Sequence, residues 1–247
     1  MSDRTGARPA RPHTGTTADG RRLAQVTTYV RRGSRLSDQQ SAAWERRRDE
    51  WWVPDEVVDR EGFDLRSCFE DPSAPLVVEI GSGIGEATAV LAADRPECNV
   101  LAFEVWRPGV AETFIRLEDH GAKNVRMVSV DAVWSLEHLL GEAEVSELWT
   151  FFPDPWPKKR HHRRRLVGPH FAHVAASRLV PGGLWRLATD WPEYAEQMAE
   201  VLDAEPLLEN VYDGPAPRWD ERPLTRFERR GIRAGRPISD FAYRRRT

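Results

Sequence analysis

A compact apolar run, Leu76–Ile80, is followed at once by a turn in which Gly81, Gly83 and Gly85 alternate with other residues. Glycines in such a turn allow a tight change of direction and a close approach of the backbone to a ligand. Four more apolar runs follow along the chain, and a helical pattern precedes each of them. This alternation of strand and helix is typical of a doubly wound, mostly parallel sheet.

The boundaries of the predicted elements follow from apolar runs, prolines and capping residues. The segment Ser37–Gln40 has the pattern of a capping box, which predicts a helix from there through Trp44. Strands are expected at Leu76–Ile80, Val100–Glu104, Val125–Val130, Glu147–Phe152 and Leu184–Ala188. The other expected helices are Ala87–Ala93, Pro108–His120, residues 133–140, Pro169–Leu179 and Pro192–Leu202. Strand-like pieces recur at Leu207–Tyr212 and Phe241–Arg244, with Pro181–Gly183 as a helix stop.

The length of 247 residues fits one domain or a small pair, and neither a linker nor a repeat divides the chain. We expect a single domain over residues 23–247, after a basic tail at 1–22 whose composition predicts disorder. Hydrophobic residues make up 40%, with no apolar run near the roughly 20 residues of a membrane helix and no secretory h-region. The two cysteines lack CxxC spacing, so a reducing cytoplasm is the expected compartment.

The net charge of −3 conceals a strong segregation of charge. Residues 1–48 hold eleven arginines against four acids, and residues 218–247 hold ten against four. The intervening body is acidic, with a net charge of −16, yet its segment Lys158–Arg165 carries six basic residues and no acid. Basic segments around an acidic body indicate a polyanionic partner, although terminal arginines can also be no more than solvated tails.

Acidic residues stand at three successive strand ends, next to the glycine turn. Glu79 lies two residues before Gly81 of the turn, where its carboxylate would repel a pyrophosphate but could pair with a cationic group. Glu104 ends the second strand and could accept both hydroxyls of a ribose. Asp131 follows the third strand, where an adenine edge could bind. Together they predict S-adenosylmethionine; a dinucleotide site and a plain tight turn with surface acids are the alternatives.

The fourth strand brings a specific resemblance. The run from Phe151 to Arg165 reads FFPDPWPKKRHHRRR, and together with other blocks it resembles the tRNA (guanine-N7-)-methyltransferase family, TrmB. The other blocks are Thr28–Gly33, Val78–Gly85, Phe103–Gly109, Val130–Ala132, Ala188–Trp191 and Arg222–Gly231. Trp106 departs from the family, which commonly has histidine there, and the arginine-rich N-terminal tail is a second departure.

The resemblance implies a Rossmann-like methyltransferase fold whose seven-stranded sheet takes its last two strands, with an antiparallel ending, from the C-terminal region. It implies tRNA as the partner and 7-methylguanosine at position 46 of the variable loop as the product. Asp154 is the implied catalytic residue. The implied cofactor-binding set is Glu79, Gly81, Gly83, Gly85, Glu104, Asp131 and Asp154. Substrate contacts fall on Lys158, Asp190, Thr225, Arg226, Phe227 and Glu228, and RNA contacts on Arg160, Arg163, Arg164 and Arg165.

The implied methyl transfer requires no proton transfer from the nucleophile. Guanine N7 has a free lone pair and no proton, so the nucleophile needs no general base, and positioning and electrostatics should carry catalysis. Positive charge moves onto the purine, which Asp154 or Asp190 could stabilise, and a carboxylate could also select guanine through its N1–H and N2–H groups. Cations flank His161 and His162 and would repel a metal ion, so no metal is expected.

Two other functions are also consistent with the sequence. The Asp154-Pro-Trp segment loosely resembles the Asp-Pro-Pro-Tyr loop of amino-group methyltransferases, so an exocyclic-amino nucleic-acid methyltransferase is one alternative. A non-catalytic RNA-binding module with the same fold is the other, although the intact glycine turn and Glu104 argue against it. No segment points to a membrane or to an obligatory protein partner.

Overall fold

A computed structural model describes Thr28 and residues 33–247. The predicted basic tail, residues 1–22, lies outside this described part, and of the Thr28–Gly33 block only the first and last residues fall within it. The strands are β1 Leu76–Ile80, β2 Asn99–Phe103, β3 Val125–Val128, β4 Val145–Phe151, β5 Leu179–Thr189, β6 Leu208–Asn210 and β7 Ser239–Arg245. The helices are α1 Asp38–Trp51, α2 Asp55–Val58, α3 Glu86–Ala93, α4 Arg107–His120, α5 Ala132–His138, α6 Pro169–Arg178, α7 Pro192–Asp203 and α8 Arg226–Arg233.

The seven strands form one sheet in the order β3-β2-β1-β4-β5-β7-β6. Neighbours from β3 to β5 pair in parallel, and β7 pairs antiparallel with both β5 and β6. The predicted doubly wound, mostly parallel sheet with an antiparallel ending from the C-terminal region is therefore confirmed. The chain order reverses between β1 and β4, and crevices at such a switch point, beyond the carboxyl ends of the strands, are where ligands bind.

Both faces of the central strands are covered, which explains why their sequences are continuous apolar runs. Val77 and Trp149 face a core shared with α1, α3 and α4, whereas Val78 and Leu148 face the one shared with α5, α6 and α7. Neighbouring residues of a strand point to opposite faces, so each run supplies both cores. Glu79 is the exception in β1, because it places a carboxylate at a fully buried position.

Helix α1 begins as predicted at Ser37, whose hydroxyl and the Gln40 side chain complete a capping box. It continues beyond the predicted end at Trp44 to Trp51, because both tryptophans pack on Phe114 of α4 with ring centroids 5.6 and 5.7 Å away. Residues seven apart lie on the same face of a helix, so this one contact stabilises both turns. Arginines fill the exposed face between them and conceal that periodicity in the sequence.

Strand β5 starts earlier than expected. It begins at Leu179, directly after α6, and Pro181–Gly183 interrupts its register with β4 instead of standing outside the sheet. Leu179 pairs with Val145, and Leu184 pairs with Glu147, so the intervening residues form an irregular bulge. Gly183 fits there because an added Cβ would lie only 3.0 Å from the carbonyl oxygen of Ser146.

Within the described ranges, no helix combines the length and the apolar character needed to cross a lipid bilayer.

Candidate functional site

A pocket opens beyond the carboxyl ends of β1, β2 and β4, at the switch point of the sheet. Among the residues predicted to form the site, those that line it are Gly81, Gly83, Glu104, Asp154, Arg226 and Phe227. Ile80, Phe103, Val130, Ala132 and Leu166 supply an apolar wall. The structure thus brings residues from the glycine turn, three strand ends and α8 into one cleft.

The end of the glycine turn, at Gly85, is packed so tightly against α4 that a side chain would not fit there. Gly85 has a φ of 75°, and a Cβ added there would lie 2.5 Å from the side chain of Thr113. Gly109 in α4 is equally constrained, since its Cβ would lie 2.2 Å from the carbonyl oxygen of Gly83. These two close approaches bring the start of α3 against α4 and fix the turn at the pocket floor.

Glu104 lies one residue past β2 and bridges two parts of the pocket wall. Its carboxylate accepts hydrogen bonds from the backbone N–H groups of Gly83, at 2.8 Å, and of Trp106, at 2.7 Å. These two bonds fix the Glu104 carboxylate at the wall of the pocket, where it is part of the lining.

Glu79 is a buried carboxyl group behind the turn, only 3% exposed, and it is not part of the pocket surface. The Thr88 hydroxyl donates a hydrogen bond to it at 2.5 Å. Burial raises the pKa of Glu79 to about 7; the Thr88 hydrogen bond opposes this shift and the negative charge of Glu104 adds to it. Such a group favours a nearby positive charge, which would restore its ionised form.

Asp131 has a local structural role at the end of β3. Its carboxylate accepts a hydrogen bond from the Trp134 backbone N–H at 3.1 Å and so caps α5. Its chain neighbours Val130 and Ala132 line the pocket, while Asp131 itself lies outside the lining. The third predicted strand end therefore contributes to the cleft mainly through apolar contacts.

The loop that carries Asp154 is strained and anchored on both sides. Phe152 and Trp156 have φ values of 53° and 45°, in the left-handed region that residues other than glycine avoid. The Trp156 indole N–H donates to the carbonyl of Thr28 at 3.0 Å, and the Arg165 guanidinium donates to the carbonyl of Pro155 at 2.9 Å. Strain that the surroundings hold in place is concentrated at functional sites, which favours a role for this loop.

The basic segment Lys158–Arg165 folds as a short 3₁₀ helix, Lys159–Arg164, beside the Asp154 loop. Lys158, Lys159, Arg160 and Arg163 are exposed. Arg164 is half-buried, with its guanidinium carbon 3.6 Å from the centre of the Trp156 ring. A cation stacked on an aromatic ring is oriented by it, so this contact fixes the positive charge of Arg164 beside the Asp154 loop.

Arg165 differs from its neighbours, because its side chain is only 2% exposed. Its guanidinium donates to the Gln197 side chain at 2.7 Å and lies over the Tyr194 ring. The predicted RNA contact of Arg165 is corrected accordingly: in this conformation the charge points into the protein and joins the 3₁₀ segment to α7.

The segment Thr225–Glu228, for which the resemblance implies substrate contacts, forms the start of α8. Thr225 is the N-cap and accepts from the Glu228 N–H at 3.3 Å. The Glu228 carboxylate is buried and pairs with Arg218 at 2.7 Å and with Arg222 at 3.3 Å. The substrate contacts predicted for Thr225 and Glu228 are thus replaced by structural roles. The spacing of a threonine and a glutamate three residues later could have indicated this helix start.

Asp190 follows β5 and is not part of the pocket lining. Its Oδ2 atom accepts from the Arg236 guanidinium, with Nη2 at 2.5 Å and Nε at 3.0 Å. Gly231 of α8 packs against it so closely that an added Cβ would lie 2.7 Å from the Asp190 Cβ. The structure therefore separates the two candidate carboxylates: Asp154 lines the cleft, and Asp190 is neutralised by a cation behind α8.

Sequence reasoning missed Arg222, which is fully buried beside the Asp154 loop. Its guanidinium lies 5.2 Å from the ring centres of Phe151 and Phe152 and pairs with Asp240 at 3.0 Å. Burial raises the pKa of Asp240 to about 6 against the opposing charge of Arg222. No local pattern marks such a residue, because its partners come from β4, α8 and β7.

Groups of three or more His, Cys, Asp or Glu side chains that could hold a metal ion do not occur in the part of the chain that the structure describes.

Comparison with known proteins places the site in a family context. A model of a family described as putative methyltransferase matches residues 73–241. The tRNA (guanine-N(7)-)-methyltransferase of Nocardioides sp. is 61% identical over 241 residues, which covers 98% of this chain and 96% of that protein. The protein of that name from Cutibacterium acnes is 47% identical over 230 residues, which covers 89% of this chain and 83% of that protein.

A solved structure shares the fold at low identity. It is a mutant of the 16S rRNA (adenine(1408)-N(1))-methyltransferase from Catenulisporales acidiphilia with cosubstrate SAM, and it aligns with a TM-score of 0.51 at 16% identity. The alignment covers 79% of this chain and 92% of that one. It confirms the predicted Rossmann-like methyltransferase fold.

Proposed function

Because the chain belongs to the tRNA (guanine-N7-)-methyltransferase family, we propose that it transfers a methyl group to N7 of a guanosine in tRNA, forming 7-methylguanosine. The observation that carries the proposal is the shared cleft: Glu104 beside the glycine turn and Asp154 on its strained loop line the same pocket. We propose position 46 of the variable loop as the target and the cytoplasm as the compartment. Residues 23–247 would act as one methyltransferase domain, since one sheet uses strands from Leu76 to Arg245.

The residues present fit S-adenosylmethionine as the methyl donor. The buried Glu79 carboxyl next to the glycine turn offers a partner for a cationic amino group, and the Glu104 carboxylate in the pocket lining would accept ribose hydroxyls. Val130, Ala132 and Leu166 form an apolar wall suited to a flat adenine ring. When bound, S-adenosylmethionine supplies an electrophilic methyl group. Glycines at the turn let the backbone approach this ligand closely.

Asp154 is the proposed catalytic residue. The guanine N7 lone pair needs no deprotonation, so the task of the protein is to orient the base and to stabilise the positive charge that develops on it. The loop around Asp154 is fixed by backbone and side-chain contacts of Phe152, Pro155 and Trp156, so its backbone requires little reorganisation to present the carboxylate. Asp190 is less suited to this role, because the Arg236 guanidinium already balances its charge.

The exposed cations beside the Asp154 loop are the proposed tRNA contacts. Lys158, Arg160 and Arg163 would bind phosphates, and Arg164 would extend this surface to the rim through its stack on Trp156. A base buried in folded tRNA must leave its stack to enter the pocket. On the opposite side of the cleft, Arg226 and Phe227 would contact the guanosine that enters.

Product analysis tests this proposal. The protein is incubated with S-adenosylmethionine and unmodified tRNA, and the digested nucleosides are identified by mass spectrometry. We expect 7-methylguanosine as the methylated product. An N2- or N6-methylated nucleoside without 7-methylguanosine would favour the amino-group methyltransferase. Tight tRNA binding with neither methylation nor cofactor binding would favour a non-catalytic RNA-binding module.

A further inference from the structure

A single residue outside the family-like sequence blocks joins the two walls of the cleft. Glu86 is the first residue of α3, directly after Gly85 of the glycine turn. Its Oε2 atom accepts the backbone N–H of Arg226 at 2.6 Å, and its Oε1 atom accepts from the Arg229 guanidinium at 2.5 Å. One carboxylate therefore connects the cofactor side of the pocket to α8, across 140 residues of sequence.

This contact caps α8 from outside. The first N–H groups of a helix lack partners within it, and a negative charge at that end is favourable. Thr225 satisfies the Glu228 N–H from within the helix, whereas the Arg226 N–H depends on Glu86. The Glu86 side chain is only 16% exposed, so water competes little for this carboxylate.

The end of α8 that Glu86 holds is the end that lines the pocket. Arg226 and Phe227 are both in the lining, and the Phe227 ring lies against the turn: a Cβ added to Gly83 would be 3.6 Å from its Cε2 atom. The remainder of the helix is fixed separately, through Glu228 to Arg218 and Arg222 and through Gly231 to Asp190. Loss of the Glu86 contacts would thus loosen the pocket end of α8 while the rest of the helix stays docked.

We propose that Glu86 is a positioning residue for methyl transfer, which sets the guanosine-facing residues Arg226 and Phe227 relative to the turn that holds the cofactor. The inference rests on the proposed function, because it assigns the start of α8 to the guanosine and the glycine turn to the cofactor. The rate of a displacement reaction depends strongly on the distance and alignment of the two reactants. A small shift of one wall therefore lowers the rate of the chemical step more than it lowers the binding affinity.

Four variants separate positioning from general stability. Glu86→Ala removes both contacts; Glu86→Gln keeps an acceptor for the Arg226 N–H but loses the ion pair; Arg229→Gln loses the ion pair from the other partner. Arg229 also donates to the carbonyl of Leu224, and it lies at the surface with 40% exposure, so its replacement leaves the core intact. Glu118→Gln is the matched control, since Glu118 is 20% exposed and accepts from Arg46 and Arg47 between α1 and α4, away from the pocket.

Each variant is assayed for kcat, for the KM of tRNA, for S-adenosylhomocysteine affinity by calorimetry, and for Tm. We expect Glu86→Ala to lower kcat about tenfold, with cofactor affinity within about twofold of wild type and a Tm change like that of the control. Glu86→Gln and Arg229→Gln should each lower kcat about threefold, and together they should cost no more than either alone, since both remove one ion pair.

Three outcomes would overturn the inference: an unchanged kcat in Glu86→Ala, a loss confined to cofactor affinity, or an equal loss of kcat in Glu118→Gln. The wild-type protein in the same assay keeps this test distinct from the proposed function. If wild type forms no 7-methylguanosine, the proposed function fails; if wild type forms it and Glu86→Ala matches wild type, only the positioning role fails.

Discussion

Cofactor affinity should depend on pH through Glu79. Its carboxyl group is buried behind the glycine turn, and burial raises its pKa from 4.5 to about 7. A cationic amino group placed beside it would bind the ionised form and would meet a neutral acid at lower pH. Binding is therefore expected to strengthen as the pH rises through the pKa of Glu79, with release of the proton from this carboxyl group.

The size of the expected change in Kd follows from the ionised fraction of Glu79. With a pKa of about 7, Glu79 is roughly one-tenth ionised at about pH 6 and nine-tenths at about pH 8. Only the ionised fraction is competent for ion pairing, so the apparent Kd should fall about tenfold across this window. An unperturbed glutamate would already be ionised throughout the window and would give no change.

Calorimetric titration with S-adenosylhomocysteine measures this directly, because it carries the same amino group and cannot react. Titrations at the two ends of the window give the change in Kd, and paired buffers of different ionisation enthalpy give the number of protons released. Glu79→Gln is the control and should bind weakly with a flat pH profile. A wild-type Kd that is constant over the window, with no proton released, would refute this reasoning.

The same shift predicts how the stability of the unliganded protein varies with pH. Between the unfolded pKa of 4.5 and the folded pKa of about 7, the folded state holds the Glu79 proton and the unfolded state does not. The unfolded state therefore binds fewer protons, and the contribution of Glu79 to the free energy of unfolding falls as the pH rises through this window. The full pKa shift corresponds to a change of about 3 kcal/mol in the free energy of unfolding across this window. In chemical denaturation at several pH values, Glu79→Gln should lack this change.

Three further variants test the assignment of roles. Asp154→Ala should lower kcat at least about a hundredfold while tRNA affinity, measured by filter binding, stays near wild type; lost affinity with normal turnover would contradict the catalytic role. Arg163→Ala combined with Arg164→Ala should weaken tRNA binding and reduce the slope of log affinity against log salt by about 1–2; an unchanged slope would mean that this surface is merely solvated. Arg165→Ala should leave that slope unchanged and instead destabilise the fold by about 2 kcal/mol, visible as a lower Tm, because its contacts to Gln197 and Pro155 are internal; a smaller slope at normal Tm would restore its predicted RNA contact.

The sequence predicted the sheet well because its central strands are buried on both faces. A run such as Leu76–Ile80 is recognisable without any knowledge of its partners, and the prediction matches the observed strand to the residue. The start of β5 was missed because Pro181–Gly183 forms a bulge within the sheet, and such a bulge depends on the register with β4.

The candidate site was predictable at the strand ends and less so beyond them. Glu104 follows β2 directly and Asp154 lies three residues past β4, so the topology brings both to one cleft. Arg165 and Glu228 have the residue types of an RNA and a substrate contact, but their burial is decided by partners such as Gln197 and Arg222. Whether a charged side chain faces water or a buried partner is a property of packing, which a local pattern does not contain.

The atom that accepts the methyl group is the central claim, and replacing that atom tests it most directly. A tRNA carrying 7-deazaguanosine at position 46 keeps the exocyclic amino group and the base-pairing edge but has carbon in place of N7. We predict methyl transfer to the guanosine transcript and none to the 7-deaza transcript, with both bound equally well. Equal methyl transfer to the two transcripts would contradict N7 methylation at this position.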